Sequence, residues 1–346
     1  MAANLYVHFP FCRSRCSYCS LYSRASSTVA ERERYIESIR VELESLRVRL
    51  KSTLPDPKPT LKTLYFGGGS PALCDLTPLK GALAPLLNEK TEFTVELHPL
   101  DVTPAKLDEL KSIGVNRISM GVQSLDDATL RAMGRGYTAS DASRAFALVK
   151  SRFDNAGIDL ILGYPGDPTT RNAEALLAPL ANWGLRHCSV YSLQNERGLK
   201  GVPDDETVLD GIKSAARFLK SIGLERYEIS NYATPGFECR HNLAVWRGED
   251  YVGIGEGACG REGLERTRGT KGGCRTTTVS PDDDLKERTL FRLRTRDGLD
   301  ASRFPAWRPA LDRFAAEGLL SRVGESVYRL TERGTEVCDA ILAEII

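Results

Sequence analysis

Cys12-Arg-Ser-Arg-Cys16-Ser-Tyr-Cys19 places three cysteines in C-x3-C-x2-C spacing, so one short loop can turn three sulfurs toward one metal centre. Thiolates are soft donors that suit iron–sulfur clusters, copper(I) and zinc. A structural zinc site closes on four ligands, commonly from paired C-x2-C knuckles. This chain has no second C-x2-C; Cys74, Cys188, Cys239, Cys259, Cys274 and Cys338 are scattered singly. His8 is a nearby fourth donor for such a site, although it lies on the strand-like run Leu5–Phe9. Iron–sulfur clusters normally take four cysteines as well. Held by three, a cubane keeps one iron open, and an open coordination site is what chemistry requires.

Other residues could work around that loop. Gly67-Gly68-Gly69-Ser70-Pro71 is a turn whose glycines let the backbone pass close to a ligand. Glu96 ends the run Thr94-Val-Glu-Leu-His-Pro99, where a carboxylate can bind sugar hydroxyls or simply be solvated. Arg135 offers a guanidinium fork that pairs well with a carboxylate. Asp159 interrupts an apolar run, and a buried carboxylate there needs partners, from an internal salt bridge or a site. The imidazole of His241 can ligate haem iron or cap a loop; the residue types leave both open.

The elements that must position these residues follow from periodicity. Leu5–Phe9 reads as a buried first strand ended by Pro10. Ile36, Ile39, Leu43, Leu46 and Leu50 recur at helical spacing, which predicts a long amphipathic helix over 30–52. Pro55-Asp-Pro57-Lys-Pro59 predicts the loop that stops it. Strand-like runs follow at 63–66, 93–97, 117–122, 158–162 and 189–193, with helical patterns at 78–87, 104–112, 127–133, 139–152 and 171–181. Such alternation predicts an α/β fold with a parallel sheet. A further helix is expected over 204–222. From about 227 to 278 glycine becomes frequent, and 268–273 reads as a linker. Helices at 284–294 and 309–317, a strand pair at 319–323 and 327–330, and a last helix from 332 close the chain.

Composition sets outer limits. The 346 residues are enough for one large domain plus a small one. Apolar residues make up 41% and charged residues 27%, as in ordinary globular proteins. A formal net charge of +1 gives no field for nucleic acid. No apolar run is long enough to span a bilayer, and nine cysteines without a secretory signal predict a reducing, cytoplasmic setting.

Tyr6-Val-His-Phe-Pro-Phe-Cys12, running into C-x3-C-x-Tyr-Cys, resembles the radical S-adenosylmethionine (radical SAM) superfamily. Within it, the stretch is similar to the family of oxygen-independent coproporphyrinogen III oxidases and related haem chaperones. The resemblance implies a partial (β/α)6 barrel, its site at the C-terminal strand ends, and a small C-terminal α+β winged-helix-like domain. It implies boundaries at 1–225 for the barrel, 226–280 for a family-specific segment and linker, and 281–346 for the last domain. Cys12, Cys16 and Cys19 would hold a [4Fe-4S] cluster. Tyr6, Tyr18, Gly69, Ser70, Pro71, Glu96, Gln123, Arg135 and Asp159 would contact S-adenosylmethionine. One electron would then cleave its sulfur–carbon bond to methionine and a 5′-deoxyadenosyl radical.

Departures from the family pattern are local. Ser70 replaces threonine, His98 an asparagine, Tyr137 a histidine, and Val245 the tyrosine of His-Asn-x-x-Tyr-Trp. Two uses compete within the family, with a radical enzyme on another substrate as a third. In a haem chaperone, haem is cargo passed to acceptor proteins and His241 is the candidate ligand. In an oxidase, two propionates are decarboxylated. Oxidases carry a fourth cysteine two positions after the third, where Leu21 stands here, and an N-terminal extension ahead of Tyr6. Both points favour the chaperone. Haem or a porphyrin, acceptor proteins and an electron donor such as flavodoxin or ferredoxin are the expected partners, with no nucleic acid. Peripheral membrane contact, oligomeric state and any catalytic side chain stay open.

Overall fold

The structure, a computed structural model, describes residues 4–53 and 60–345, so the proline-rich loop expected at 55–59 lies outside the described residues. Strands β1 (Asn4–Phe9), β2 (Thr63–Gly68), β3 (Glu92–Leu97), β4 (Arg117–Gln123), β5 (Asn155–Leu162) and β6 (His187–Ser192) form a continuous parallel run. The periodicity of each strand explains its place. In β1, Leu5, Val7 and Phe9 face outward under the helices, while Tyr6 and His8 face the opposite way. The outward set joins Leu64, Phe66, Phe93, Val95, Ile118 and Ile158 in the main core. The first helix, Val29–Thr53, covers part of it with Ile36, Ile39, Leu43, Leu46 and Leu50. Each such fully buried side chain contributes roughly 1.5–3 kcal/mol.

The inner face of the sheet is polar almost throughout: Tyr6, His8, Thr94, Glu96, Arg117 and Asp159 all lie on it. Alternation of apolar-out and polar-in is therefore what makes this half-barrel a container rather than a packed core.

The sheet is larger than six strands. Its order is β9-β1-β2-β3-β4-β5-β6-β8-β7, with β7 (Glu225–Arg226) and β8 (Asn231–Ala233) antiparallel at one side. At the other, β9 (Val252–Ile254) pairs in parallel with β1. A boundary at 225 thus cuts through the sheet, and Tyr232, Val252 and Ile254 belong to its core. Residues 268–273 are no linker either. They are the turn region of a hairpin between β11 (Glu265–Thr270) and β12 (Gly273–Thr278), with β10 (Cys259–Glu262) on its far side. Gly272, at φ +86°, supplies the left-handed turn residue. Its glycines mark a tight reversal, which composition alone reads as a loop.

Beyond it, helices Pro281–Phe291, Arg308–Ala316 and Cys338–Ile345 enclose a three-stranded sheet of β13 (Leu299–Asp300), β15 (Val327–Leu330) and β14 (Leu320–Val323). This small α+β unit has its own core, centred on Leu293, Leu299, Leu311 and Tyr328. Among the described residues, no helix is long and apolar enough to cross a membrane.

Candidate metal and cofactor site

The cysteine loop is closed at its base by a two-residue parallel pair, Phe11–Cys12 against Arg24–Ala25, and by Arg24 N–H donating to the Pro10 carbonyl. Cys12, Cys16 and Cys19 are free, half-buried thiols between those ends. The loop is clamped to the barrel at several points. Cys19 N–H turns back on the Cys16 carbonyl at 3.3 Å, and the Arg197 guanidinium donates to that same carbonyl at 3.1 Å. The Ser17 and Tyr164 hydroxyls meet at 2.9 Å.

Arg135 ties the loop to the strand ends. Its Nη1 reaches Cys16 Sγ and the Tyr18 hydroxyl, both at 3.4 Å, and its Nη2 donates to the Gly121 carbonyl at 2.8 Å. Its Nε donates to the Tyr137 hydroxyl, which in turn donates toward the carbonyls of Gly121 and Val122. Arg135 therefore sits beside the sulfurs, with its charge held in place by β4. Gln123, at the end of β4, adopts φ +69°, and the β4–β5 register shifts between Gly121 and Gln123. A non-glycine residue held in that region is strained, and such strain gathers at sites.

The glycine turn lies directly against the cysteine strand. Gly69 N–H donates to the Phe9 carbonyl at 2.6 Å and Ser70 N–H to the Phe11 carbonyl at 2.7 Å. A Cβ at Gly69 would come within 2.4 Å of the Phe11 oxygen, so only glycine fits. Pro71 then opens a 3-10 turn, Pro71–Leu73. Glu96 accepts from the Tyr65 hydroxyl at 2.8 Å and from Gly68 N–H at 3.0 Å. Burial, then the neighbouring Asp159 charge, push Glu96 up to about 7.

Asp159 lies deeper, in the middle of β5. Its partners are the Ser119 and Ser189 hydroxyls rather than a direct salt bridge, and burial raises its pKa. Tyr6 hydrogen-bonds His8 Nδ1 at 3.0 Å, and His8 Nε2 lies 2.8 Å from the Tyr22 carbonyl. Both ring nitrogens are occupied, so His8 braces the far end of the cysteine loop and is not a fourth ligand.

His241 is not at this end at all. Its Nδ1 meets the Thr63 hydroxyl at 2.9 Å and its backbone N–H donates to Glu92. Thr63 and Glu92 are the first residues of their strands, so the ring plugs the floor of the barrel, 5% exposed and beside Tyr65. Burial pushes its pKa down to about 3. His98 is structural too, accepting from Leu100 N–H as the cap of a 3-10 turn. Asp101 and Arg13 escaped the sequence reading. Asp101 stands outside any motif and Arg13 fills a variable position of the cysteine loop, so only the fold brings them together beside Ser70.

The donor set fits an iron–sulfur cluster. Cys12 and Cys19 thiols are raised by burial, and each feels the charge of Cys16. Among the described residues, no three His, Cys, Asp or Glu side chains are grouped as ligands of a single ion.

Comparison with known proteins places this arrangement. Residues 6–174 match the family model described as the radical SAM superfamily. The chain is 31% identical to the protein named heme chaperone HemW from Bacillus subtilis, over 99% of this chain and the whole of that protein. It is 32% identical to the mouse protein named radical S-adenosyl methionine domain-containing protein 1, mitochondrial, over 85% of this chain and 68% of that one. In structure it is similar to the coproporphyrinogen III oxidase HemN of Escherichia coli, described as a radical SAM enzyme. The TM-score is 0.82 at 21% identity, covering 99% of this chain and 89% of the other.

Proposed function

The chain belongs to the radical SAM superfamily, and from that premise we propose that it is a haem chaperone of the HemW type. It would bind haem as cargo and pass it to acceptor proteins. The observation that carries the reading is similarity to a protein of that name along its whole length, in a chain with Leu21 where the oxidases carry a fourth cysteine. The likeness to HemN, at 21% identity, supports the barrel and not the oxidase activity.

The superfamily implies a [4Fe-4S] cluster and S-adenosylmethionine. Cys12, Cys16 and Cys19 would hold the first. The second would lie against Gly69, Ser70 and Pro71 at one side and Glu96, Gln123 and Arg135 at the other, with Tyr6 and Tyr18 alongside and Asp159 beneath. When bound, the pair supplies one-electron reductive cleavage of a sulfonium. The protein's part is positioning. Arg135 places its guanidinium 3.4 Å from Cys16 Sγ and offers donors to a carboxylate. Glu96, held by Tyr65 and Gly68, offers acceptor oxygens to ribose hydroxyls. A flavodoxin- or ferredoxin-type donor, a cytoplasmic setting and peripheral membrane contact complete the proposal. His241 can reach haem iron only if the floor opens around it, because its ring is enclosed.

Anaerobic cluster reconstitution, followed by haem titration and a coproporphyrinogen turnover assay in parallel, tests the reading. Stoichiometric haem binding without turnover is the expected result; formation of protoporphyrinogen would replace the chaperone with the oxidase. His241→Ala with unchanged haem binding would remove His241 as ligand.

A further inference from the structure

Three successive amides of the glycine turn are spent inside the protein. Gly68 N–H donates to Glu96, Gly69 N–H to the Phe9 carbonyl and Ser70 N–H to the Phe11 carbonyl. A glycine loop that cradles phosphate does the reverse, turning its N–H groups toward the ligand. None of these three N–H groups is left to offer.

The side chain of Ser70 completes the pattern. A hydroxyl has one proton and two lone pairs. Asp101 lies 5% exposed beneath it, and the Ser70 hydroxyl donates to Asp101 Oδ2 at 2.5 Å. A carboxylate can only accept, so the direction of that bond is fixed. With its proton committed, Ser70 Oγ shows only lone pairs to the site. The other Asp101 oxygen accepts from Arg13 Nε at 2.6 Å, in an ion pair to the residue next to Cys12.

We propose that Asp101 is a positioning residue: it polarises Ser70 into an acceptor for the amino group of S-adenosylmethionine, and through Arg13 locks that acceptor to the cysteine loop. The inference rests on the cofactor reading above and deepens it. Asp101 itself stays behind Ser70 and acts through it. Its negative charge, one hydrogen bond away, strengthens the acceptor toward an N–H donor and weakens it toward a group that offers only lone pairs.

Asp101→Asn keeps the shape and removes the charge and the forced direction. Binding is measured by calorimetry on the anaerobically reconstituted protein with three ligands. S-adenosylmethionine has amino and carboxyl groups, its decarboxylated form keeps the amino group, and 5′-methylthioadenosine has neither. The expected result is a loss of about 10- to 100-fold for the first two, the range for a hydrogen bond to a charged group. 5′-Methylthioadenosine should bind within about twofold of wild type. Ser70→Ala should cost a similar factor, and adding Asp101→Asn to it should cost nothing more, because the effect runs through the hydroxyl. An equal loss on all three ligands, unchanged S-adenosylmethionine binding, or additive losses in the double variant would each overturn the role of Asp101. Wild-type protein that carries the cluster but binds no S-adenosylmethionine would overturn the cofactor reading, and this inference with it.

Discussion

At the mouth of the barrel, half-buried Cys16 and Glu96 share one end with buried Arg135 and His8. At its floor, Cys239, Arg117, Glu92 and His241 sit in a sealed layer. The residue types are the same, and what differs is where their hydrogen bonds go. Glu92 spends its oxygens on the N–H groups of Arg240 and His241, the first residues of helix Arg240–Trp246, and so fastens that helix across the bottom of the sheet. The mouth leaves sulfurs and the lone pairs of Ser70 free to face a guest. A thiol or an imidazole is a ligand only where geometry leaves it unspent. The floor stabilises the container, and the mouth holds the candidate site.

Substitutions at the two ends should separate accordingly. The largest effect is at the mouth: Cys16→Ala should abolish iron and sulfide uptake on reconstitution while the unfolding midpoint stays near wild type, since a half-buried thiol contributes little packing. Near-normal iron content in that variant would remove Cys16 from the ligand set. At the floor, Glu92→Ala strands one buried and one part-buried amide and should lower stability by about 3 kcal/mol in urea unfolding. Cluster loading of the folded fraction should be normal. Loss of the cluster with full stability would erase the distinction between the ends.

Opposite pH slopes give a finer contrast. Glu96 is raised to about 7, so through pH 4.5 to 7 the folded state keeps a proton that the unfolded state has released. Stability therefore falls as pH rises through that window, and Glu96→Gln should remove up to about 3 kcal/mol of the fall. His241 is lowered to about 3, so below pH 6.5 the unfolded state binds a proton the folded state refuses. Its contribution is lost as pH falls, by about 2 kcal/mol at pH 5, and His241→Gln should flatten that acid limb. Both are read by urea unfolding at pH 5, 7 and 8. Curves that stay parallel to wild type would mean that neither group is buried as described.

The cysteine loop, the glycine turn and the helix–strand alternation were legible because local spacing carries them. Ile36, Ile39 and Leu43 announce a helix wherever they occur. Four features were not. The pairing of β9 with β1 joins residues 252–254 to 5–7, and no local pattern reports such a contact. The β11–β12 hairpin hid behind its own glycines. His241 stayed open between ligand and loop cap because residue type says nothing about enclosure, and its burial depends on Glu92 and Thr63 arriving from distant strands. Asp101 was missed for the converse reason: it belongs to no motif, and its meaning is the Ser70 hydroxyl above it.

The most direct test of a three-thiolate site with a vacant iron is electron paramagnetic resonance of the anaerobically reconstituted, reduced wild-type protein, before and after adding S-adenosylmethionine. A [4Fe-4S] signal whose shape shifts on addition is the predicted result. Protein that takes up no iron and sulfide, or a cluster signal indifferent to S-adenosylmethionine, would contradict it.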